Sequence, residues 1–321
     1  MHTRMLPTLA VFSAFSFVVM MFNLPLPGGT SGHALGIGVA AVVLGPWAGM
    51  LSISLALTIQ AVFFADGGIS TLGANCLNMG VLGVTAAWLL YRAFALHAAP
   101  DSPRRVFAAG AAGYVAINLA ALATAIELGL QPLWFQADSG ALLYAPYPLG
   151  IAVPAMLLGH LGPAGAAEAL LSAGMLSWLQ RAEPDLLRTV VAEEVAAAAP
   201  RPVWRPLRKL LALLGLLLVL TPLGQLAAGT AWGEWDVAAF ADAEKRRDIA
   251  VASAGVELPA EVPPGLAQGA GLWHAPLPDY ALPFLPQSVG YVFSAMLGSG
   301  LIILSGLTLD WLRQRRRPRR C

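Results

Sequence analysis

Apolar residues fall in long blocks separated by short polar stretches, and this pattern predicts an all-α polytopic membrane protein with about eight transmembrane helices. The blocks are Leu6 to Leu24, His33 to Trp47, Ala48 to Ala65, Cys76 to Leu96, Val106 to Leu130, Pro148 to Leu179, Leu210 to Ala228 and Val289 to Leu312. A helix rises about 1.5 Å per residue, so roughly 20 apolar residues cross the hydrocarbon layer. The first block is too long for the core of a signal peptide, and no small-x-small cleavage site follows it, so it reads as a retained helix. The second and third blocks are joined tightly at Gly45-Pro46. The second is short and carries Gly36 and Gly38, and small residues of this kind let helices approach closely in lipid. Pro154 and Pro163 interrupt the sixth block, which is expected to be broken or tilted.

The polar stretches divide the chain. Residues 1–187 form a six-helix core, 188–209 a hydrophilic linker, and 210–321 a two-helix segment whose polar loop spans 229–288. Within that loop, Ala231 to Leu285 holds eight carboxylates against three basic residues. Basic residues orient the spans, because cytoplasmic loops carry the excess of Lys and Arg. With Arg4 inside, the basic stretches Arg92–Arg105 and Arg181–Lys209 and the Arg-rich tail after Leu312 all fall inside. The Asn23–His33 and Asp66–Asn75 loops, the aromatic stretch with Trp134, Phe135, Tyr144 and Tyr147, and the acidic loop then fall outside. The expected location is a cell (inner) membrane, crossed several times and in contact with lipid, with the C-terminus cytoplasmic.

Composition agrees: 57% hydrophobic and 12% charged, with mean hydropathy +0.68, is far from the roughly 25% charged of soluble domains. A net charge of +1 gives no reason to expect nucleic acid as a partner. Only two lysines occur, Lys209 and Lys245, and neither ends a glycine-rich phosphate loop. Cys76 and Cys321 are placed on opposite sides of the membrane and cannot pair.

The candidate chemistry lies in two Gly-rich loops, Asn23-Leu-Pro-Leu-Pro-Gly-Gly-Thr-Ser-Gly-His33 and Asp66-Gly-Gly-Ile-Ser-Thr-Leu-Gly-Ala-Asn75. Asn23, Ser31, His33, Asp66, Asn75 and Asn78 offer oxygen and nitrogen donors to a small cation. A neutral imidazole suits nickel, cobalt, copper or zinc. The competing readings are local: His33 capping the second helix, Asp66 in an ordinary Asp-Gly-Gly turn, Asn75 capping the fourth helix. Ionisable groups within spans are costly unless paired or facing a cavity. Glu127 is near a span end and can reach the interface. His160 and Glu168 share a helix face if that helix continues through Pro163, making a polar stripe that is either functional or a helix contact. His97 and His274 read as solvated.

These residues resemble the CbiM/NikM family, the substrate-capture subunits of energy-coupling-factor transporters for cobalt and nickel. The resemblance is carried by the two loops, by Leu44-Gly-Pro-Trp47, by Asn78-Met-Gly80, and by Pro154-Ala-Met-Leu-Leu-Gly-His160 with Glu168. The C-terminal part is similar to the companion NikN or PDGLE-type segment, most visibly at Ala275-Pro-Leu-Pro-Asp-Tyr-Ala-Leu-Pro283, although a literal Pro-Asp-Gly-Leu-Glu is absent. The resemblance implies that His33 is a metal ligand and that Ni2+ or Co2+ is a transported substrate, with no permanently bound cofactor. It also implies a transmembrane coupling subunit and two separate ATP-binding cassette ATPases as partners, and no enzymatic activity in this chain. In the family, an N-terminal Met-His supplies further nitrogens in a square-planar set, which favours nickel or cobalt over zinc. Here Met1-His2 precedes Leu6 directly, without the family's additional helix, so the two residues start on the far side of the membrane from His33. Either the start of the protein lies upstream of Met1, or the chain represents a subgroup with an altered site. The fused companion segment leans the choice towards nickel. Ala10 and Ala14 form a small-xxx-small pair that could meet the coupling subunit or serve ordinary packing.

Two other functions fit parts of the sequence. Gly29-Thr-Ser-Gly32 with Gly159-His160 loosely echoes a rhomboid-like intramembrane serine protease, in which Ser31 would be the nucleophile. A degenerate membrane partner without metal binding is the other.

Overall fold

The computed structural model describes residues 5–26, 29–184, 186–187, 207–227 and 229–315. Met1, His2 and most of the 188–209 linker lie outside these. Helices dominate: α1 (Met5–Met20), α2 (Ile37–Phe64), α3 (Leu72–Ala95), α4 (Pro103–Trp134), α5 (Leu149–Ala182) and α6 (Arg208–Leu226). Three short helices follow, α7 (Val237–Ala241), α8 (Ala243–Ala252) and α9 (Pro264–Ala270), before the long α10 (Gln287–Arg315). Among the described residues, six helices are long and apolar enough to cross a membrane, and Leu6–Met20 is a shorter apolar helix.

Eight spans are expected where six long helices are found: the first block forms the shorter α1, and the second and third are merged in α2, which breaks at Gly45. This glycine interrupts α2 with φ 72° and ψ 177°, next to Pro46. A Cβ placed on Gly49 would sit 3.3 Å from the carbonyl oxygen of Ala40. Residues nine apart in a straight helix are separated by about 13 Å, so α2 doubles back into two packed arms. The short first arm begins only at Ile37, after the left-handed Gly36 (φ 73°).

Apolar on all sides, α1 is buried on all sides, which is what such a composition requires. Phe12, Phe15, Phe17, Met20 and Met21 are among the most enclosed side chains in the protein. The last helix covers one flank: a Cβ at Gly306 would meet Ala10, and one at Gly298 would meet the Phe17 ring. Ala10 and Ala14 are thus enclosed by the chain's own helices. Of the two roles expected for this pair, packing within the chain is the one these contacts serve.

Small residues set the other close approaches too. Gly80 lies against Ser54, Gly83 against Ile37, and Gly110 against Ala169 and Ala173 of α5. A Cβ at Gly38 would be 2.4 Å from the Ser172 hydroxyl and 2.9 Å from the Ala109 carbonyl. Only glycine lets the first arm of α2 seat between α4 and α5.

The expected glycine-rich loop between α1 and α2 contains a two-stranded hairpin. Leu24–Leu26 (β1) pairs antiparallel with Thr30–Gly32 (β2), with Pro25 opposite Ser31. Residues 229–286 fold over this end of the bundle. Tyr147 is buried against Trp232 and Trp235, with ring centroids 5.6 Å and 5.3 Å away, and its hydroxyl donates to the Val256 carbonyl at 2.9 Å. Of the aromatic stretch read as interfacial, Trp134, Phe135 and Tyr144 are exposed, whereas Tyr147 is core.

Candidate metal site at the loop end of the bundle

His33 follows directly on β2 and precedes α2, so its position depends on what holds residues 33–36. That support is Glu168, a carboxylate with no solvent exposure on α5. Its Oε2 accepts the backbone N–H groups of Leu35 and Gly36, both at 2.8 Å, and its Oε1 accepts Gly38 N–H at 3.2 Å and the Ser172 hydroxyl at 3.0 Å. The first N–H groups of a helix have no partner within it and carry partial positive charge. Glu168 therefore caps α2 from another helix, inside the bundle, where unpaired N–H groups would be expensive. His33 does not cap α2: Gly36 is the residue before its first turn, and the His33 Nδ1 faces the Ala34 carbonyl at 3.3 Å.

A carbonyl oxygen only accepts, so that contact puts the proton on Nδ1 and leaves the Nε2 lone pair available. His160 is set the same way, with Nδ1 donating to the Met156 carbonyl at 2.8 Å, and it lies within electrostatic reach of His33. Burial lowers the His33 pKa below its ordinary value, partly countered by the charge of Asp66. The ring is thus neutral near pH 7, the form that can ligate a metal.

His160 and Glu168 do not make a continuous stripe. The helix opens into a π turn over His160–Ala164, and Gly162 leaves helical geometry altogether at φ −95°, ψ −112°. Two further π segments occur, Gln60–Phe64 and Cys76–Gly83. Such widened turns are rare and gather at functional sites. Each of the three displays a polar side chain: Gln60, Asn78 and His160.

Asp66 is more than a turn residue. Its Oδ2 accepts the Gln60 amide at 2.9 Å and the Tyr280 hydroxyl, and Gln60 also donates to the Tyr280 hydroxyl at 3.1 Å. Asn75 lies within the first turn of α3 and donates to the Gly67 carbonyl at 3.1 Å, closing the Asp-Gly-Gly turn rather than capping a helix. Asn78 faces α4, where it donates to Glu127 at 2.8 Å and to Thr124 at 3.1 Å. Glu127 therefore pairs within the bundle instead of only reaching for the interface. Asn23 is half-buried at the start of the hairpin.

Ser31 is buried, its hydroxyl donating to the Gly229 carbonyl at 2.9 Å while its N–H donates to Thr230 at 3.1 Å. In a serine–histidine protease pair the nucleophile's hydroxyl donates to the imidazole. Here it is committed to a carbonyl, and the His160 ring is held by Met156.

Sequence reading missed Gln60, Tyr280 and Glu234. The Glu234 carboxylate reaches to within 3.9 Å of a Cβ placed on Gly67, and its pKa is raised by desolvation and by Asp66. The signal for Gln60 was present, as a polar residue inside the Ala48–Ala65 apolar run. Tyr280 and Glu234 gave none, being more than 150 residues from the loops they meet. Among the described residues, no group of three or more His, Cys, Asp or Glu side chains is arranged to hold a metal ion. His33 thus brings one imidazole, with His160 nearby, to a site that needs further donors.

Comparison with known proteins agrees with this architecture. Residues 1–186 match the family model CbiM, described as the cobalt uptake substrate-specific transmembrane region, and residues 207–315 match the PDGLE domain. The fused nickel transport protein NikMN of Rhodobacter capsulatus is 55% identical over 299 residues, covering 93% of this chain and 84% of that protein. The cobalt transport protein CbiM of Geobacter sulfurreducens is 35% identical over 220 residues, 67% of this chain and 60% of that one. A crystal structure of a transition metal transporter superposes with a TM-score of 0.52 at 45% identity, covering 59% of this chain and 82% of the other.

Proposed function

Because the chain belongs to the CbiM family of transmembrane metal-uptake proteins, we propose that it is the substrate-specific membrane subunit of an importer for a divalent transition metal ion, nickel or cobalt. The family is one of transporters, not enzymes. The observation that carries the cargo's chemistry is the neutral imidazole of His33, with Nε2 free, on a segment pinned by Glu168. Imidazole nitrogen favours nickel, cobalt, copper or zinc over calcium or magnesium. Nickel is preferred of the two candidates, since relatives that span both parts of the chain, the Rhodobacter capsulatus protein among them, bear that metal in their names.

In this reading residues 1–187 bind the metal, and 210–321 form the companion segment whose loop covers the site. Ser31, Asp66 and Asn75 shape the two loops, His160 supplies the second imidazole, and Asn78 ties α3 to α4 beneath them. Asn23 lies at the loop's start. The basic stretches favour an orientation with the metal-site loops outside the cell membrane and the C-terminus in the cytoplasm. The family resemblance implies a coupling subunit and two ATPases as partners, which would supply the energy for import.

Metal accumulation tests the proposal in cells producing the chain with its coupling subunit and ATPases. The wild type is expected to accumulate nickel or cobalt, and His33→Ala to fall to the level of cells lacking the chain. Undiminished accumulation in the variant would sink the assignment of His33.

A further inference from the structure

Among the contacts the companion segment makes with the two loops, one side chain, Tyr280, is enclosed by ring and backbone contacts. The Tyr280 ring stacks on Phe64 at 4.6 Å between centroids and 19° between planes, and meets Tyr291 at 5.2 Å and Phe17 at 6.4 Å. Its carbonyl accepts the Ser294 hydroxyl at 2.9 Å, and three residues earlier Leu277 N–H donates to the Phe63 carbonyl at 3.0 Å. Asp279 and Tyr280 both take left-handed backbone angles, φ 54° at Asp279 and 59° at Tyr280. That conformation is costly for non-glycine residues and persists where the surroundings over-determine it. What the strained turn delivers is a hydroxyl donated to Asp66 Oδ2, alongside the Gln60 amide on the same oxygen.

Resting on the reading of His33 as a metal ligand, we propose that Tyr280 is a positioning residue of the metal site: its hydroxyl, with the Gln60 amide, fixes the Asp66 carboxylate, whose charge reaches His33. Two donors converge on Oδ2, and no hydrogen bond among the described residues engages Oδ1. A carboxylate held by one oxygen keeps its charge directed and its other oxygen open. Beside an imidazole that receives a divalent cation, that charge offsets part of the charge brought in. Partners one step removed from a ligand commonly change metal affinity by about 10- to 100-fold. Burial and the Asp66 charge keep the phenol well above its ordinary pKa, so it remains a donor across the working pH range. The companion segment thereby contributes to metal affinity through the core's own aspartate, without itself supplying a ligand.

The test is Ni2+ binding to the purified full chain, comparing the wild type with Tyr280→Phe, Asp66→Asn, the double variant and His33→Ala. Tyr280→Phe keeps the stacked ring and removes only the hydroxyl; affinity is expected to fall about tenfold with little change in thermal midpoint. In the Asp66→Asn background the same substitution is expected to add nothing, because Tyr280 acts through that carboxylate. A merely structural tyrosine would lower stability and add its effect in both backgrounds. Wild-type affinity in Tyr280→Phe, or full additivity with Asp66→Asn, overturns the proposal while His33→Ala still loses binding. Wild-type affinity in His33→Ala overturns the underlying reading instead. Should Tyr280→Phe not fold, Gln60→Met probes the same carboxylate, with a smaller loss expected and an unchanged affinity counting against the proposal.

Discussion

Glu168 and Asp66 both hold a loop beside His33, but they do so with different kinds of partner. Glu168 sits in the middle of a membrane helix and is satisfied by three backbone N–H groups and one serine, all from the core. Asp66 lies in a loop and is satisfied by side chains, one of them brought from the companion segment 214 residues away. The first arrangement builds the loop's backbone and cannot be removed without leaving buried donors unpaired. The second adjusts a charge and can be weakened while the fold stands. The core and the companion segment therefore contribute unequally: one makes the site's frame, the other tunes it.

The largest effect is expected at Glu168. Replacing it with Leu leaves three buried N–H groups without acceptors, at about 1–3 kcal/mol each. Glu168→Leu should give little folded protein, and Glu168→Gln, which keeps one accepting oxygen, an intermediate thermal midpoint. Equal midpoints for Gln and Leu would break the contrast, because backbone capping would then not be what Glu168 supplies. Loss of the Tyr280 hydroxyl comes next, seen in affinity rather than folding.

The smallest effect is a pH dependence at Glu234. Its pKa is raised on folding, by desolvation first and by Asp66 second. Above the ordinary carboxylate value the unfolded chain has released a proton that the folded chain retains, so stability falls as pH rises through that range. The residue as a whole is exposed while its carboxyl end lies against the Gly67 turn, so water screens part of the effect and it should be slight. Thermal midpoints measured from pH 5 to 9 are expected to decline a little more in the wild type than in Glu234→Gln. A steeper decline in the variant would reverse the sign and contradict the account.

Much of the frame could be read from the chain because lipid allows few solutions. Long apolar blocks must become helices, and the Gly45-Pro46 junction marked where two of them reverse. The loops and His33 stood out as polar residues in an apolar context. What stayed hidden has physical reasons. The partners of Glu168 are backbone N–H groups, which leave no trace in side-chain identity, so it read as half of a stripe with His160. That stripe failed because the helix opens at Gly162, a distortion Pro163 only hinted at. The hairpin at Leu24–Leu26 is too short to announce itself among prolines and glycines. Ala10 and Ala14 offered a small face that any close helix could fill, and Gly306 of the last helix fills it. Tyr280 lies in the segment's most recognisable stretch, Ala275–Pro283, yet nothing local points to an aspartate so far away in sequence.

The central claim is that His33 places an imidazole nitrogen on the transported metal. X-ray absorption at the nickel edge of the Ni2+-loaded protein tests it most directly. The account predicts a nitrogen-dominated first shell with the outer-shell scattering of imidazole, diminished in His33→Ala. An unchanged spectrum in that variant, or a shell of oxygens alone in the wild type, would contradict it.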